Sequence, residues 1–425
     1  MKDKKVYILM FTLLGSLLIG HIINSSILVL ISAVFVYGSI LVCNMRDSTA
    51  LLFFFSPFSY IFAYKQYSLC IFLVVAYILK SVSKGKIHRT AFYTIFLLAY
   101  CLIFADYELG NVKLGTMIPP ILISVLIFVS EETDQEDYPR LINFFKIGFI
   151  FSAIVGFFKN EIPSIARLFD SDFVNDSGAV DSNVLERFSG LTYDPNFFTV
   201  VSCVLIAIIL FTTDKFKLKD MVQLVFLIIM GFFTFSKSYL LILLIIAVLY
   251  ILNRSHYVGR NIAILIGLIA TIVLVENFNN LDVVSVVIGR FESTAESGDL
   301  TTGRLSLWKE YIIYILDRSK VWFFGEGFNA LAVNVKAVHN SYIDFVYRFG
   351  LIGTSLWIIY FVLCYYTIKK KHKNNSRLTT KLPLLVCLIG FMFLSAYHFQ
   401  QLWCCICLSF FAMYIPEENN EKCLN

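Results

Sequence analysis

Apolar runs separated by short polar turns occupy almost the whole chain. They fall at Val6–Gly20, Ile27–Cys43, Ala50–Tyr64, Leu69–Leu79, Thr90–Ala105, Thr116–Val129, Leu141–Phe157, Phe197–Phe211, Met221–Phe235, Tyr239–Leu252, Ile262–Val275, Tyr347–Ile368, Leu382–Tyr397 and Leu402–Ile415. A helix needs roughly 20 residues to cross a hydrocarbon core about 30 Å thick, so the runs predict an all-α, polytopic membrane protein with about 14 (12–14) spans. One stretch needs an energy argument, because Met221–Leu252 is too long for one span and carries Lys237 near its middle. A lysine at the centre of a spanning helix costs about 2.5–3.5 kcal/mol, so the stretch is read as a hairpin with Ser236-Lys237-Ser238 at its turn.

Two polar interruptions are longer than connectors, residues 158–196 and 276–345. The chain therefore reads as one polytopic domain over residues 1–425 carrying two large loops on the same side, the second containing short helices. Asp170–Ser182 has the composition of a loop tip. No internal repeat and no low-complexity tract interrupts the pattern.

Composition narrows the class. Hydrophobic residues make up 58% of the chain and charged residues 15%, and a mean hydropathy of +0.75 exceeds what a soluble core needs. The net charge of +5 does not require a nucleic-acid partner, because the basic residues cluster in short turns. With the N-terminus inside, Lys80-Lys84-Lys86-Arg89, Lys215-Lys217-Lys219, Arg254-Arg260 and Lys369-Lys370-Lys371-Lys373-Arg377-Lys381 all face inward, as the positive-inside rule asks. The acidic run Glu131–Asp137 also faces inward, which the rule tolerates since carboxylates weigh little in it. Met1-Lys2-Asp3-Lys4-Lys5 with the apolar run from Val6 has no small-residue cleavage site after it, and is expected to be the first span. The ten cysteines lie mostly in apolar runs, and Cys404-Cys405-Ile406-Cys407 has no His or acidic neighbour at zinc spacing, so they are read as packing.

On this topology Arg187, Lys237, Arg290, Arg304 and His339, scattered over the sequence, emerge on the outer side. Arg187 precedes Asp194-Pro195-Asn196, where Asp194 can cap the next helix and Pro195 suits its first turn. A guanidinium at this level can fork two phosphate oxygens. Thr301-Thr302-Gly303-Arg304 leads into Leu305, Leu307-Trp308, Ile312 and Ile315-Leu316, a helical spacing that puts Arg304 in a first turn, where amides and dipole favour an anion. His339, in His339-Asn340-Ser341-Tyr342, is an imidazole in polar company and suits a general base; Asn340 and Ser341 also suit a helix start. Asp170-Ser171-Asp172 and Asp106-Tyr107-Glu108 are two-carboxylate patterns of the kind that hold metals, but so short that metal-free chemistry without a cofactor is the expectation.

The set Thr302-Gly303-Arg304 with Trp308, Gly325-x-Gly327, and His339-Asn340-Ser341-Tyr342 followed by Gly350 and Gly353 resembles the O-antigen polymerase and ligase superfamily, including Wzy-type repeat-unit polymerases. Arg187-x-x-Gly190, Asp194-Pro195-Asn196 and Thr234-x-Ser236-Lys237-Ser238 add to the resemblance, which runs from Arg187 to Gly353. Lys237 departs from the family, where arginine is frequent, and so does Arg348, where an acidic residue is more usual. The resemblance implies a multi-pass protein of the bacterial cytoplasmic membrane that joins undecaprenyl-diphosphate-linked glycans on its outer side. His339 would be base, Arg187 and Arg304 would stabilise the leaving diphosphate, and Lys237, Arg290, Asn196, Asn340 and Tyr342 would bind substrate. A flippase and a chain-length regulator are the implied partners. The neighbouring reading is a ligase that passes the same donor to another acceptor. A lipid-linked sugar flippase or transporter fits less well, because transporters gather polar groups at mid-membrane, and a scaffold without catalysis leaves the convergence of Arg187, Arg304 and His339 unexplained.

Overall fold

The computed structural model describes residues 2–64, 67–84, 89–104, 118–169, 187–192, 194–213, 216–253, 258–277, 303–327, 337–372, 378–398 and 401–415. The described chain is helical apart from a two-residue-per-strand hairpin pairing Ala63 with Ser68 and Tyr64 with Tyr67. In chain order the helices are α1 (Lys2–Ile22), α2 (Ser26–Val42), α3 (Met45–Phe55), α4 (Ile71–Ser83), α5 (Ala91–Ile103), α6 (Ile118–Glu132), α7 (Tyr138–Phe157) and α8 (Pro163–Phe169). They continue as α9 (Pro195–Thr212), α10 (Leu218–Phe232), α11 (Lys237–Leu252), α12 (Val258–Asn277), α13 (Arg304–Leu316), α14 (Ser319–Phe324), α15 (Ser341–Lys370), α16 (Leu382–Gly390) and α17 (Leu402–Ala412).

Every apolar run of the sequence overlaps one of these helices, because continuous Leu, Ile, Val and Phe leave the backbone no partner but itself once water is removed. Among the described residues, four helical stretches are long and apolar enough to cross a bilayer: Asp3–Ile22, Gln135–Phe157, Pro195–Thr212 and Ser341–Lys370. Helix α9 is the central one, with nearly its whole circumference buried, while α2, α5, α11 and α12 present outward rows such as Phe92, Ile95 and Phe96, or Leu241, Leu244 and Val248. Such rows suit a lipid solvent.

Polar contacts sort the helix ends into two groups. At one end Arg140 of α7 reaches Asp3 of α1 at 2.7 Å and Asp47 of α3 at 2.6 Å, Arg46 pairs with Asp137, and Lys84 of α4 meets Glu132 of α6 at 3.4 Å. Lys371, after α15, donates to the Thr133 carbonyl at 2.8 Å, and Gln135 donates to the Tyr414 carbonyl at 2.8 Å. This is the basic end. The opposite end gathers the close of α1, α5, α7 and α10 with the start of α9, α11 and α15.

Candidate functional site

Helices α9, α10 and α11 meet at the opposite end through a dense set of side-chain bonds. Asp194 caps α9: its Oδ1 accepts the Asn196 backbone N–H at 2.7 Å and the Asn196 Nδ2 at 2.9 Å. The Asn196 Oδ1 in turn accepts from Ser236 Oγ at 2.7 Å and Ser238 Oγ at 3.3 Å, and the two serine oxygens lie 2.6 Å apart. Lys237, the first residue of α11, is thus held between two serines locked onto α9. Arg187 is fixed to the same turn, its Nε donating to the Thr234 carbonyl at 2.9 Å, and the neighbouring Phe188 N–H donates to the Phe233 carbonyl at 3.0 Å. Gly190 makes this approach feasible: a Cβ on Gly156 of α7 would stand 2.3 Å from the Gly190 carbonyl carbon, and Gly190 itself has φ of +59°.

A second group is built on α13, α14 and the start of α15. Tyr311, Ile315, Val321, Val338 and Tyr347 form a small apolar core of their own with Leu307 and Trp308 packed on it. The Trp308 indole N–H donates to the Val338 carbonyl at 3.0 Å, fixing the residue before His339. Asn340 caps α15, its Oδ1 accepting from the backbone of Tyr342 at 3.0 Å and Ile343 at 3.3 Å. His339 lies between these two anchors with φ of +48°, a left-handed conformation unusual for a bulky side chain. Arg304 opens α13 behind Gly303, which takes φ of +79°.

This second group hangs on a break in α15. Gly350 has φ of 63° and ψ of −177°, which strips the preceding carbonyls of their helical partners. Three are supplied from elsewhere: Glu326 N–H donates to the Tyr347 carbonyl at 2.8 Å, Gly327 N–H to Arg348 at 3.0 Å, and Tyr100 O–H of α5 to Phe349 at 2.8 Å. The two backbones touch, since a Cβ on Gly325 would lie 2.2 Å from the Arg348 carbonyl oxygen and one on Gly350 2.3 Å from that of Phe323. Broken helices are tolerated at membrane depth only with such replacement.

The two groups face each other electrostatically. Burial holds the Arg304 guanidinium below its ordinary pKa, with Asp194 acting in the opposite sense. Burial likewise depresses His339, Asp194 pulls it back up, and Arg304 pushes it further down. Arginine stays charged regardless, and His339 is neutral at neutral pH, the form a base requires.

The sequence-predicted residues are therefore placed as follows. Arg304 and His339 both feel the charge of Asp194, whose Oδ1 bonds Asn196, and Asn196 leads to the turn that holds Lys237 and Arg187. Asn340 caps a helix, and the Tyr342 hydroxyl donates to the Leu388 carbonyl at 2.8 Å. Arg290, Thr302 and the acidic pairs at Asp106 and Asp170 lie outside the described residues. Arg348, the departure from the family pattern, bonds Asp344 at 2.9 Å and lies 3.9 Å from the Tyr397 ring centroid. What the sequence reading missed is that Asp194, besides capping α9, acts electrostatically on both Arg304 and His339; the clue was a carboxylate where serine or asparagine caps as well.

No protein-family model, curated protein or solved structure matches this chain. Its class is defined by its own architecture: an all-helical protein with, among the described residues, four helices able to cross a bilayer and a polar cluster where α9 and α11 begin.

Proposed function

We propose that the protein polymerises undecaprenyl-diphosphate-linked oligosaccharide repeat units into O-antigen, capsular or exopolysaccharide. It would act as a metal-independent membrane glycosyltransferase with about 14 spans in the bacterial cytoplasmic membrane, its basic end in the cytoplasm and the Arg304–His339 cluster outside. The single observation that carries the reading is the turn that holds Arg187 and Lys237, locked through Asn196 to Asp194, with the charge of Asp194 acting on both Arg304 and His339. These groups come from separate parts of the sequence, and together they match what the chemistry asks of a protein.

The donor is already activated, since a diphosphate is a good leaving group; what is left is to bind its charge, align the acceptor and take one proton. The acceptor hydroxyl oxygen bonds to the anomeric carbon as the bond from that carbon to the diphosphate breaks. Arg304 and Arg187 receive the negative charge that develops on the departing undecaprenyl diphosphate, with Lys237 beside them, and His339 takes the hydroxyl proton. The first-turn amides of α11 and α13, neither of which has a side-chain cap hydrogen bond, add positive potential at the same end.

Purified protein in lipid nanodiscs, given lipid-linked repeat units and a chelator, is expected to yield a ladder of elongated lipid-linked glycan. A deletion strain separates the two transfer readings. Single repeats on the final acceptor support polymerase, whereas long lipid-linked chains that never reach that acceptor identify a ligase.

A further inference from the structure

Between α11 and α12 lies an apolar crevice of about 470 Å³. Its floor is Ile206 and Leu210 of α9 with Ile228 of α10, all buried, while the wall residues Leu244 and Ile251 of α11 and Leu265 of α12 are exposed. The crevice therefore opens on the surface that these helices turn towards lipid. Its polar members, Tyr250 and Asn261, stand at the close of α11 and the start of α12 and satisfy each other, the Tyr250 O–H donating to Asn261 Oδ1 at 2.9 Å. From Asn261 to Leu268 the helix rises about 10 Å, so the crevice stays within one leaflet of a hydrocarbon core about 30 Å thick. At its far end α12 comes close to α10, where a Cβ on Gly267 would stand 3.1 Å from Ile228 Cδ1. Water finds no free polar partner in such a lining, and hydrocarbon is the solvent outside it.

The segments that bound the other end of the crevice are basic. Residues 213–219 and 253–260 hold Lys215, Lys217, Lys219, Arg254 and Arg260 against one acid, Asp214. Lys217 and Lys219 are exposed. Arg260, beside Asn261, donates from Nη2 to the Thr213 carbonyl just past the end of α9, which fixes a positive charge at the rim. The neighbouring Asp220 carboxylate does not cancel it, being buried 3.6 Å from Lys146 Nζ and accepting the Lys217 N–H at 3.2 Å. From this arrangement we infer that the α11–α12 crevice is a binding site for an anionic phospholipid, one acyl chain filling the apolar slot and the phosphate held at the rim of Lys217, Lys219 and Arg260. The site lies at the ends of α9 and α11 remote from Arg187 and Lys237, and it does not depend on glycosyl transfer.

Delipidated full-length protein in detergent is titrated with phosphatidylglycerol or with phosphatidylcholine of the same chain length, and the first bound lipid is resolved by native mass spectrometry. Phosphatidylglycerol should bind roughly tenfold tighter or more, since each basic group near an anionic headgroup contributes severalfold. Lys217→Gln with Lys219→Gln, both at exposed positions, should remove most of that preference and leave phosphatidylcholine binding unchanged. Ala247→Trp, from an exposed position in the crevice wall, puts an indole into the slot and should weaken both lipids by about tenfold. Equal affinity for the two lipids would overturn the anionic headgroup, and a preference untouched by the double lysine variant would remove it from this rim. First-lipid binding indifferent to Ala247→Trp would rule out the crevice as its seat. No lipid-linked sugar enters these measurements, so their failure leaves the transferase reading standing, and the reverse.

Discussion

At the basic end, Arg140 is bonded to two aspartates, Arg46 to Asp137 and Lys84 to Glu132; at the opposite end, Arg187 leans on a backbone carbonyl while Arg304 and His339 share the field of Asp194. The basic end uses its charge to close helix ends against one another, in pairs that are partly exposed and individually weak. The opposite end instead holds half-buried cationic groups in fixed positions, supported by two bulky residues in left-handed conformation, Phe235 and His339. Backbone held in unusual conformations clusters at working sites. The contrast teaches that charge density alone does not mark function in a membrane protein: the end richer in lysine and arginine reads as an orientation signal.

The comparison can be broken most severely at His339. His339→Ala should reduce chain elongation by about 10²- to 10⁴-fold with folded yield unchanged, as read by product ladders and size-exclusion profiles; near wild-type ladders would remove the base from the mechanism. Next comes the break in α15. Gly350→Ala forces a Cβ into a left-handed position and to within 2.3 Å of the Phe323 oxygen, so a loss of about 3 kcal/mol or more is expected, visible as a lowered Tm in detergent. Substituting Arg187 by lysine keeps the charge but removes the fork; roughly a tenfold loss in elongation is expected, and no loss would show that a point charge suffices there.

The pH dependence sharpens the contrast further. Because the folded protein holds His339 below its ordinary pKa, elongation should climb as pH rises through that depressed value and be flat above about 6.5, the unperturbed figure. By linkage, the same group makes the fold lose stability as pH falls below about 6.5, since the unfolded chain then binds the proton more readily. The smallest effect belongs to the basic end: Arg46→Ala should cost no more than about 1 kcal/mol and leave elongation intact. A collapse of activity in that variant would mean that the two ends are coupled.

How much of this was legible before the structure depends on whether the signal is local. The helices were, because runs such as Leu141–Phe157 and Phe197–Phe211 state their preference within a single segment. The break at Gly350 was not: inside the run Tyr347–Ile368 a single glycine is unremarkable until Glu326, Gly327 and Tyr100 arrive from distant segments to take the freed carbonyls. Asp194 was half legible, since its bond to Asn196 is local and its opposition to Arg304 and His339 is not. Arg348 stood out as a departure, yet its partner Asp344 one turn earlier explains it at once.

The splice between residues 325–327 and the interrupted α15 has a practical consequence for chimeras. Because its acceptors sit on one helix and its donors on two other segments, the stretch from Gly303 to Gly327 is not an independent cassette. Grafting it into another framework would leave the Glu326 and Gly327 N–H groups without their acceptors unless the interrupted α15 travels with it, and Tyr100 must come too for the Phe349 carbonyl, so the heritable unit of this architecture is the three-part joint.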